Sequence, residues 1–235
     1  MNKADIKGKW ALVTGASRGI GRQISLGLAE YGCNIILHSR ELAGTEVLAA
    51  EVSAKGVEVH RVAAELSDAN QVDAMVAELL ATGPKVDILY NNAAIMTPYR
   101  TEWLVVPAQD FRDTFEVNVI ALVRICYAFI PGMVERGWGR IINVSSGVKE
   151  QPNLVAYSIS KGAIDKFVTD IAPTLKEKGV LVNLLDPGWL RTDLGGPNAP
   201  GSVESVVPGA LVPALFADGT TGQLIRAQDY AGQEI

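Results

Sequence analysis

Short runs of aliphatic and β-branched residues alternate along this chain with longer stretches whose apolar positions recur every three to four residues. Strands of period two separated by helical patterns predict βαβ units and a parallel sheet. The pattern predicts strands over Trp10–Thr14, Asn34–His38, Val57–Val62, Asp87–Tyr90, Arg140–Val144 and Val180–Leu185, with a seventh over Gln223–Arg226. Helices are predicted over Ile20–Tyr31, Glu41–Lys55, Gln71–Leu80, Ala108–Glu135 and Tyr157–Lys178. Asp68 is placed to cap the third of these, and Gly179 to end the last. Pro131 and Pro173 fall inside two helical patterns, where a missing N–H predicts a kink or break. Gly195–Pro208, rich in Gly, Pro and Ser, reads as a mobile loop. No repeat, linker or low-complexity tract divides the chain, so one domain is expected, with a nucleotide half over about residues 1–94 and a catalytic half over about 95–235.

Composition narrows the field. The chain has 235 residues, 48% of them hydrophobic, and a formal net charge of −5. That is enough apolar material for one α/β core, and the charge leaves no basic footprint for nucleic acid. Cys33 and Cys126 stand alone, with neither CxxC spacing nor a nearby histidine, which predicts no metal site and no disulfide framework. The first nine residues are polar and short, unlike a secretory leader. The longest apolar stretch, Val117–Ile130, is interrupted by Asn118 and Arg124 and falls short of the roughly 20 residues of a membrane span. A cytoplasmic protein with no membrane partner is the expectation.

The first strand runs into Thr14-Gly15-Ala16-Ser17-Arg18-Gly19-Ile20-Gly21, which opens the first helix. Glycines at such a junction let the turn tighten and the backbone approach a diphosphate, while the helix N-terminus offers free N–H donors. The candidate contacts are Gly15, Ser17, Arg18, Gly19, Ile20 and Gly21. The end of the second strand reads the ribose. An acid there holds a 2′-hydroxyl, whereas cations suit a 2′-phosphate. Here it ends His38-Ser39-Arg40, so Ser39 and Arg40, with Arg18, favour NADP(H); Glu41 keeps NAD(H) open.

With Asn91-Asn92-Ala93-Ala94, Asn118, Ser145-Ser146, Tyr157-Ser158-Ile159-Ser160-Lys161 and Pro187-Gly188 added to that loop, the sequence resembles the short-chain dehydrogenase/reductase family from about Lys7 to Leu194. The resemblance implies a doubly wound sheet in the order 3-2-1-4-5-6-7 and a homodimer or homotetramer joined through the two long helices. It implies a catalytic set of Asn118, Ser146, Tyr157 and Lys161. It also implies cofactor contacts at Asn92, Ala93, Ala94, Tyr157, Lys161, Pro187, Gly188, Leu190 and Thr192, with Glu65 and Leu66 near the adenine. Asn91 is expected to steady the central strands or touch the adenine-ribose side. Two departures stand out: Ala94 replaces the usual glycine, and Ser146 lies closer to Tyr157 in sequence than in many relatives.

Tyr157 and Lys161 are four apart and share a helix face. A free tyrosine titrates near 10, and a neighbouring ammonium is expected to pull that down until the phenol can exchange a proton with an alkoxide. Ser146 is expected to hold the carbonyl oxygen. The resemblance adds ribose binding by Lys161 and a water-linked relay at Asn118. The implied reaction moves a hydride between NADP(H) and a carbonyl or secondary alcohol. A non-catalytic nucleotide sensor is the competing reading, though such a protein has no need of Tyr157 and Lys161. A serine hydrolase lacks its base, since His38 and His60 both lie in the nucleotide half and no GxSxG surrounds Ser146. Met96, Trp103, Val148, Leu154, Trp189 and Leu194 are expected to line an apolar substrate pocket, and Gly195–Pro208 to close over it.

Overall fold

The computed structural model describes residues 3–235, so Met1 and Asn2 of the polar N-terminal stretch lie outside it. Seven strands form one sheet: β1 (Trp10–Val13), β2 (Asn34–Ser39), β3 (Val59–Ala63), β4 (Ile88–Asn91), β5 (Gly139–Val144), β6 (Val180–Asp186) and β7 (Leu224–Arg226). Their order is β3-β2-β1-β4-β5-β6-β7, and every pairing is parallel. All six residues of β2 and of β5 are buried, as expected for strands covered on both faces. Alternate side chains go to opposite layers. Leu12, Ile36, Leu89, Ile141 and Val182 enter one core, while Val13, Ile35, Leu37, Tyr90 and Ile142 enter the other.

The helices are α1 (Gly19–Glu30), α2 (Glu46–Ser53), α3 (Ala69–Ala81), α4 (Ala108–Phe115), α5 (Leu122–Glu135) and α6 (Val155–Lys176). Asp68 caps α3 as expected, accepting from the backbone N–H groups of Asn70 and Gln71. The predicted Glu41–Lys55 helix is split into a 3-10 turn over Leu42–Thr45 followed by α2, with Gly44 in the turn. No break occurs at Pro173 and none at Pro131. Both prolines sit on exposed helix faces, where solvent can serve the carbonyls they free. The irregularity falls elsewhere: a π-helical stretch over Glu116–Ala121 separates α4 from α5 and contains Asn118.

Two other expectations change. Ala108–Glu135 as a whole is long and apolar enough to cross a membrane by length and composition, unlike the interrupted stretch read from the sequence. It lies along the sheet, with Val117, Ile125, Cys126, Phe129 and Met133 packed into the core. Gly195–Pro208 is anchored rather than bare. Leu190 bridges to Gly201, Arg191 donates to the carbonyls of Ala199 and Pro200, and a short 3-10 turn over Val203–Val206 buries Val206.

Strand order reverses between β1 and β4, which opens a crevice at the carboxyl ends of the strands. Thr14, Ser39, Asn92, Ser145 and Asp186 all stand on that edge.

Candidate active site

The glycine loop is shaped by its neighbours. Gly15 and Gly19 hold positive φ of 64° and 58°, the left-handed region that suits glycine. A Cβ on Gly21 would collide with the Gly15 carbonyl oxygen, so α1 can begin this close to β1 only with glycine there. Arg18 caps α1 in an extended conformation and makes no side-chain capping bond, leaving the first N–H groups of the helix open for an anion. Thr14 and Asn92 lock the loop to β4. The Thr14 hydroxyl accepts from the N–H groups of Asn92 (2.9 Å) and Ala93 (3.1 Å), and Asn92 Nδ2 donates to the Thr14 carbonyl at 2.9 Å. Ala94 follows without a positive φ, so this backbone never needs the glycine that relatives carry.

His38 holds the loop from the other side. Gly15 N–H donates to its Nδ1 at 3.2 Å, so Nε2 carries the proton and donates to the Ala64 carbonyl at 3.1 Å. Burial pushes the imidazole down to about 4, which keeps it neutral. Along the sequence His38 only closes the second strand and lies too far from Ser146 to serve as its base. A histidine closing an otherwise apolar strand was the available signal.

At the end of the second strand Ser39 is buried and its hydroxyl donates to the Glu41 carbonyl at 2.6 Å. Ser17 and Ser39 both lie beside Gly44, and Arg40 is exposed with no ion pair among the described residues. Arg18 does not join it. Its Nε pairs with Asp193 at 3.1 Å, both side chains largely exposed, so the guanidinium points across the cleft toward the loop after β6. The expected two-arginine clamp is therefore not assembled. Thr192 in that same loop faces Gly19, Leu190 is buried, and Gly188 turns with a φ of 81° after the buried Pro187. Glu65 turns back onto the Ser67 N–H, and Leu66 is buried beside it.

The structure brings Ser146, Tyr157 and Lys161 together. Lys161 is buried, its Nζ lies 5.6 Å from the Tyr157 ring centroid, and it donates to the Val144 carbonyl at 2.7 Å. Burial lowers the ammonium to about 8, against the opposing pull of Asp165. The Tyr157 phenol moves opposite to the sequence expectation. Burial raises it, the Ser146 hydrogen bond lowers it less, and the Asp186 carboxylate raises it further. Helical spacing placed the lysine beside the tyrosine ring, but desolvation of the phenol sets the direction of its shift.

Asn118 is fully enclosed. Its amide accepts from Ile95 N–H and donates to Ile95 O, both at 2.9 Å, and also donates to Ser160 Oγ at 3.1 Å. It thereby ties the segment after β4 to α6. Asn91 donates to Asn143 (2.8 Å) across β4 and β5 and to the Cys126 sulfur, which is the strand-steadying role. Burial pushes both cysteine thiols up to about 12, as for inert core residues.

The expected apolar pocket is not formed as drawn. A cavity of about 710 Å³ opens beside Ser146 and Lys161, and Val148 is the one member of the predicted apolar set on its wall. Trp103, Trp189 and Leu194 are 49%, 62% and 38% exposed instead. The wall is polar, with Lys149, Asp165, Asp186 and Arg226.

A doubly wound parallel sheet whose switch-point crevice holds a glycine loop on one side and a Ser–Tyr–Lys group on the other defines a nucleotide-dependent oxidoreductase fold. The family model for short chain dehydrogenase matches residues 9–201, and the chain belongs to that family. It is 35% identical over 192 residues to the 3-oxoacyl-(acyl-carrier-protein) reductase FabG of Staphylococcus aureus, covering 79% of this chain and 76% of that one. It is 32% identical over 232 residues to the human inactive hydroxysteroid dehydrogenase-like protein 1, covering 97% and 70%. Among solved structures, a 3-oxoacyl-(acyl-carrier-protein) reductase from Agrobacterium tumefaciens C58 with NADP bound superposes with a TM-score of 0.83 at 29% identity, covering 94% and 93%. The residues present fit a dinucleotide: a glycine cradle that a Cβ would fill, uncapped N–H groups on α1, and an unpaired cation at the end of β2.

Proposed function

We propose that this chain transfers a hydride between NADP(H) and a carbonyl or secondary alcohol carbon, with Tyr157 exchanging the proton at oxygen. The observation that carries the reading is the convergence of Ser146, Tyr157 and Lys161 at the carboxyl edge of the sheet, beside the crevice framed by the glycine loop and Thr192. When bound, the nicotinamide supplies or removes the hydride. The chain's own residues handle the oxygen. Ser146 donates to it and fixes its position, Tyr157 O–H passes its proton to it during reduction, and the Lys161 charge stabilises the phenolate left behind. Burial raises the Tyr157 phenol, which favours the protonated form that donates to the oxygen during reduction. Asn118 keeps α6 in register with the segment after β4.

NADP(H) is preferred over NAD(H) because Arg40 stands unpaired beside Ser39, whereas no acid precedes Glu41. The same reading takes the protein to be cytoplasmic, to act on a small molecule, and to form a homodimer or homotetramer through α5 and α6, where Tyr127 and Ile159 are exposed. A second reading, a nucleotide-binding protein without turnover, is favoured by the human relative named inactive. The test is carbonyl-dependent oxidation of NADPH by the native chain and by Tyr157→Phe. The variant is expected to lose activity on the order of 10²–10⁴-fold, as for removal of a general acid, with NADPH affinity within about two-fold. Comparable turnover by both proteins rules out proton transfer by Tyr157, and turnover by neither supports the binding-protein reading.

A further inference from the structure

The cavity beside Ser146 has an electrostatic character that neither the glycine loop nor the catalytic group requires. Asp186 ends β6 on the same sheet face as Leu184, and its register partner on β7 is Arg226, just as Leu184 pairs with Leu224. Asp186, Arg226 and Leu224 therefore line one wall of the cavity, which Lys149 also lines. The carboxylate is held in place: Gly188 N–H donates to Asp186 Oδ1 at 3.0 Å. Its other oxygen, Oδ2, accepts no hydrogen bond within the protein among the described residues. That oxygen lies 2.7 Å from where a Cβ on residue 147 would stand, so Gly147 is what leaves the carboxylate its room. The second carboxylate on the wall, Asp165, already receives the Ser145 hydroxyl at 2.5 Å. Each carboxylate thus keeps one oxygen without a hydrogen bond from the protein among the described residues, and two exposed cations, Lys149 and Arg226, line the same cavity.

We propose that Asp186 is a substrate-binding residue, and that the substrate is a polyhydroxylated ketone or the corresponding alcohol, one hydroxyl of which donates to Asp186 Oδ2. The inference rests on the hydride-transfer reading above and names its substrate class. A carboxylate only accepts hydrogen bonds, and lysine and arginine only donate them. Vicinal hydroxyls do both, so a polyol satisfies Asp186 through its donors and Lys149 and Arg226 through its lone pairs. The other chemistries fit less well. An ammonium group would meet Lys149, Lys161 and Arg226, and a carboxylate would meet Asp165 and Asp186. An alkyl chain would cover the acceptor and leave it unmatched, a costly arrangement for a charged group.

The experiment compares two five-carbon ketones, xylulose and 2-pentanone, as substrates of the native chain, Asp186→Ala and the isosteric Asp186→Asn, with NADPH saturating. The native chain is expected to favour xylulose in kcat/KM by about ten-fold or more, the scale of one hydrogen bond to a charged group. Asp186→Ala is expected to erase most of that preference, chiefly through KM for xylulose, and Asp186→Asn, which keeps one acceptor oxygen, to retain part of it. Absence of a preference in the native chain, or equal losses on both ketones in both variants, overturns the proposal. Should neither ketone be turned over, saturation-transfer NMR with xylitol separates the two readings. A signal with the native chain that Asp186→Ala loses upholds the site while the reductase reading fails, and no signal with the native chain overturns the site.

Discussion

The two sides of the crevice are held by different forces. On the glycine-loop side the fastenings are neutral and mostly backbone: His38 between Gly15 and Ala64, and Thr14 with Asn92 between β1 and β4. On the substrate side an ion pair joins the neutral fastening of Asn118. Asp110, buried at the start of α4, takes both Nε and Nη2 of Arg100 at 2.8 Å, and Asn153 donates to the Arg100 carbonyl at 2.6 Å. The short segment from Ser146 to Tyr157 also contains Glu150, the one non-glycine residue with positive φ among those described. A nucleotide diphosphate asks for oriented N–H groups and no competing charge, which neutral fastenings preserve. A substrate asks for side chains that can differ between relatives, and those hang on loops held by ion pairs.

The largest way to break this contrast is to charge His38. The folded imidazole titrates near 4 and the unfolded one near 6.5, so the unfolded chain binds a proton that the folded chain refuses. Stability is therefore complete above about pH 6.5 and falls as pH drops toward 4, by roughly 3 kcal/mol in all. Urea unfolding of the native chain and His38→Gln across this range checks it. The variant should show a visibly flatter dependence, and identical slopes would remove His38 from the argument.

Arg40→Ala comes next. NADPH binding should weaken by roughly 1–3 kcal/mol while NADH binding stays nearly unchanged, the scale of a charged hydrogen bond to phosphate. Arg18→Ala should cost NADPH less than about 1 kcal/mol, since its partner Asp193 is exposed. Fluorescence titration measures both, and a larger loss at Arg18 would restore the two-arginine clamp. The smallest effect is on the other side of the crevice. Arg100→Met should lower Tm by about 2–4 °C, the shift a modest destabilisation gives in a chain of this size. It should also raise KM more than it lowers kcat, because it frees the loop and leaves Tyr157 alone. A kcat loss without a KM change would place Arg100 in the chemistry instead.

Much of this was legible along the chain. Strand period, helix spacing and the glycine junction are local properties, so all seven strands were found within about two residues, as was the Asp68 cap. The candidate catalytic residues came from the family resemblance, to which the one-turn spacing of Tyr157 and Lys161 adds that they share a helix face. The errors came from quantities that depend on surroundings. Exposed faces let helices pass through Pro131 and Pro173, and burial reversed the expected shift of Tyr157. Asp186 was visible as the lone charge closing the apolar run Val180–Leu185, yet nothing local indicates which wall a strand-end side chain joins.

By itself, then, the amino-acid order determined the element types, the parallel sheet and the glycine junction between the first strand and helix, because each follows from the spacing of neighbours a few positions apart, while the motifs together carried the family resemblance that implied the site. Only the tertiary structure decided that Arg18 turns to Asp193, that His38 stays neutral, and that the cavity beside Ser146 is lined by charge rather than by Trp103, Trp189 and Leu194. Those outcomes depend on desolvation and on distances between segments far apart in the chain, and neither quantity is encoded in local spacing.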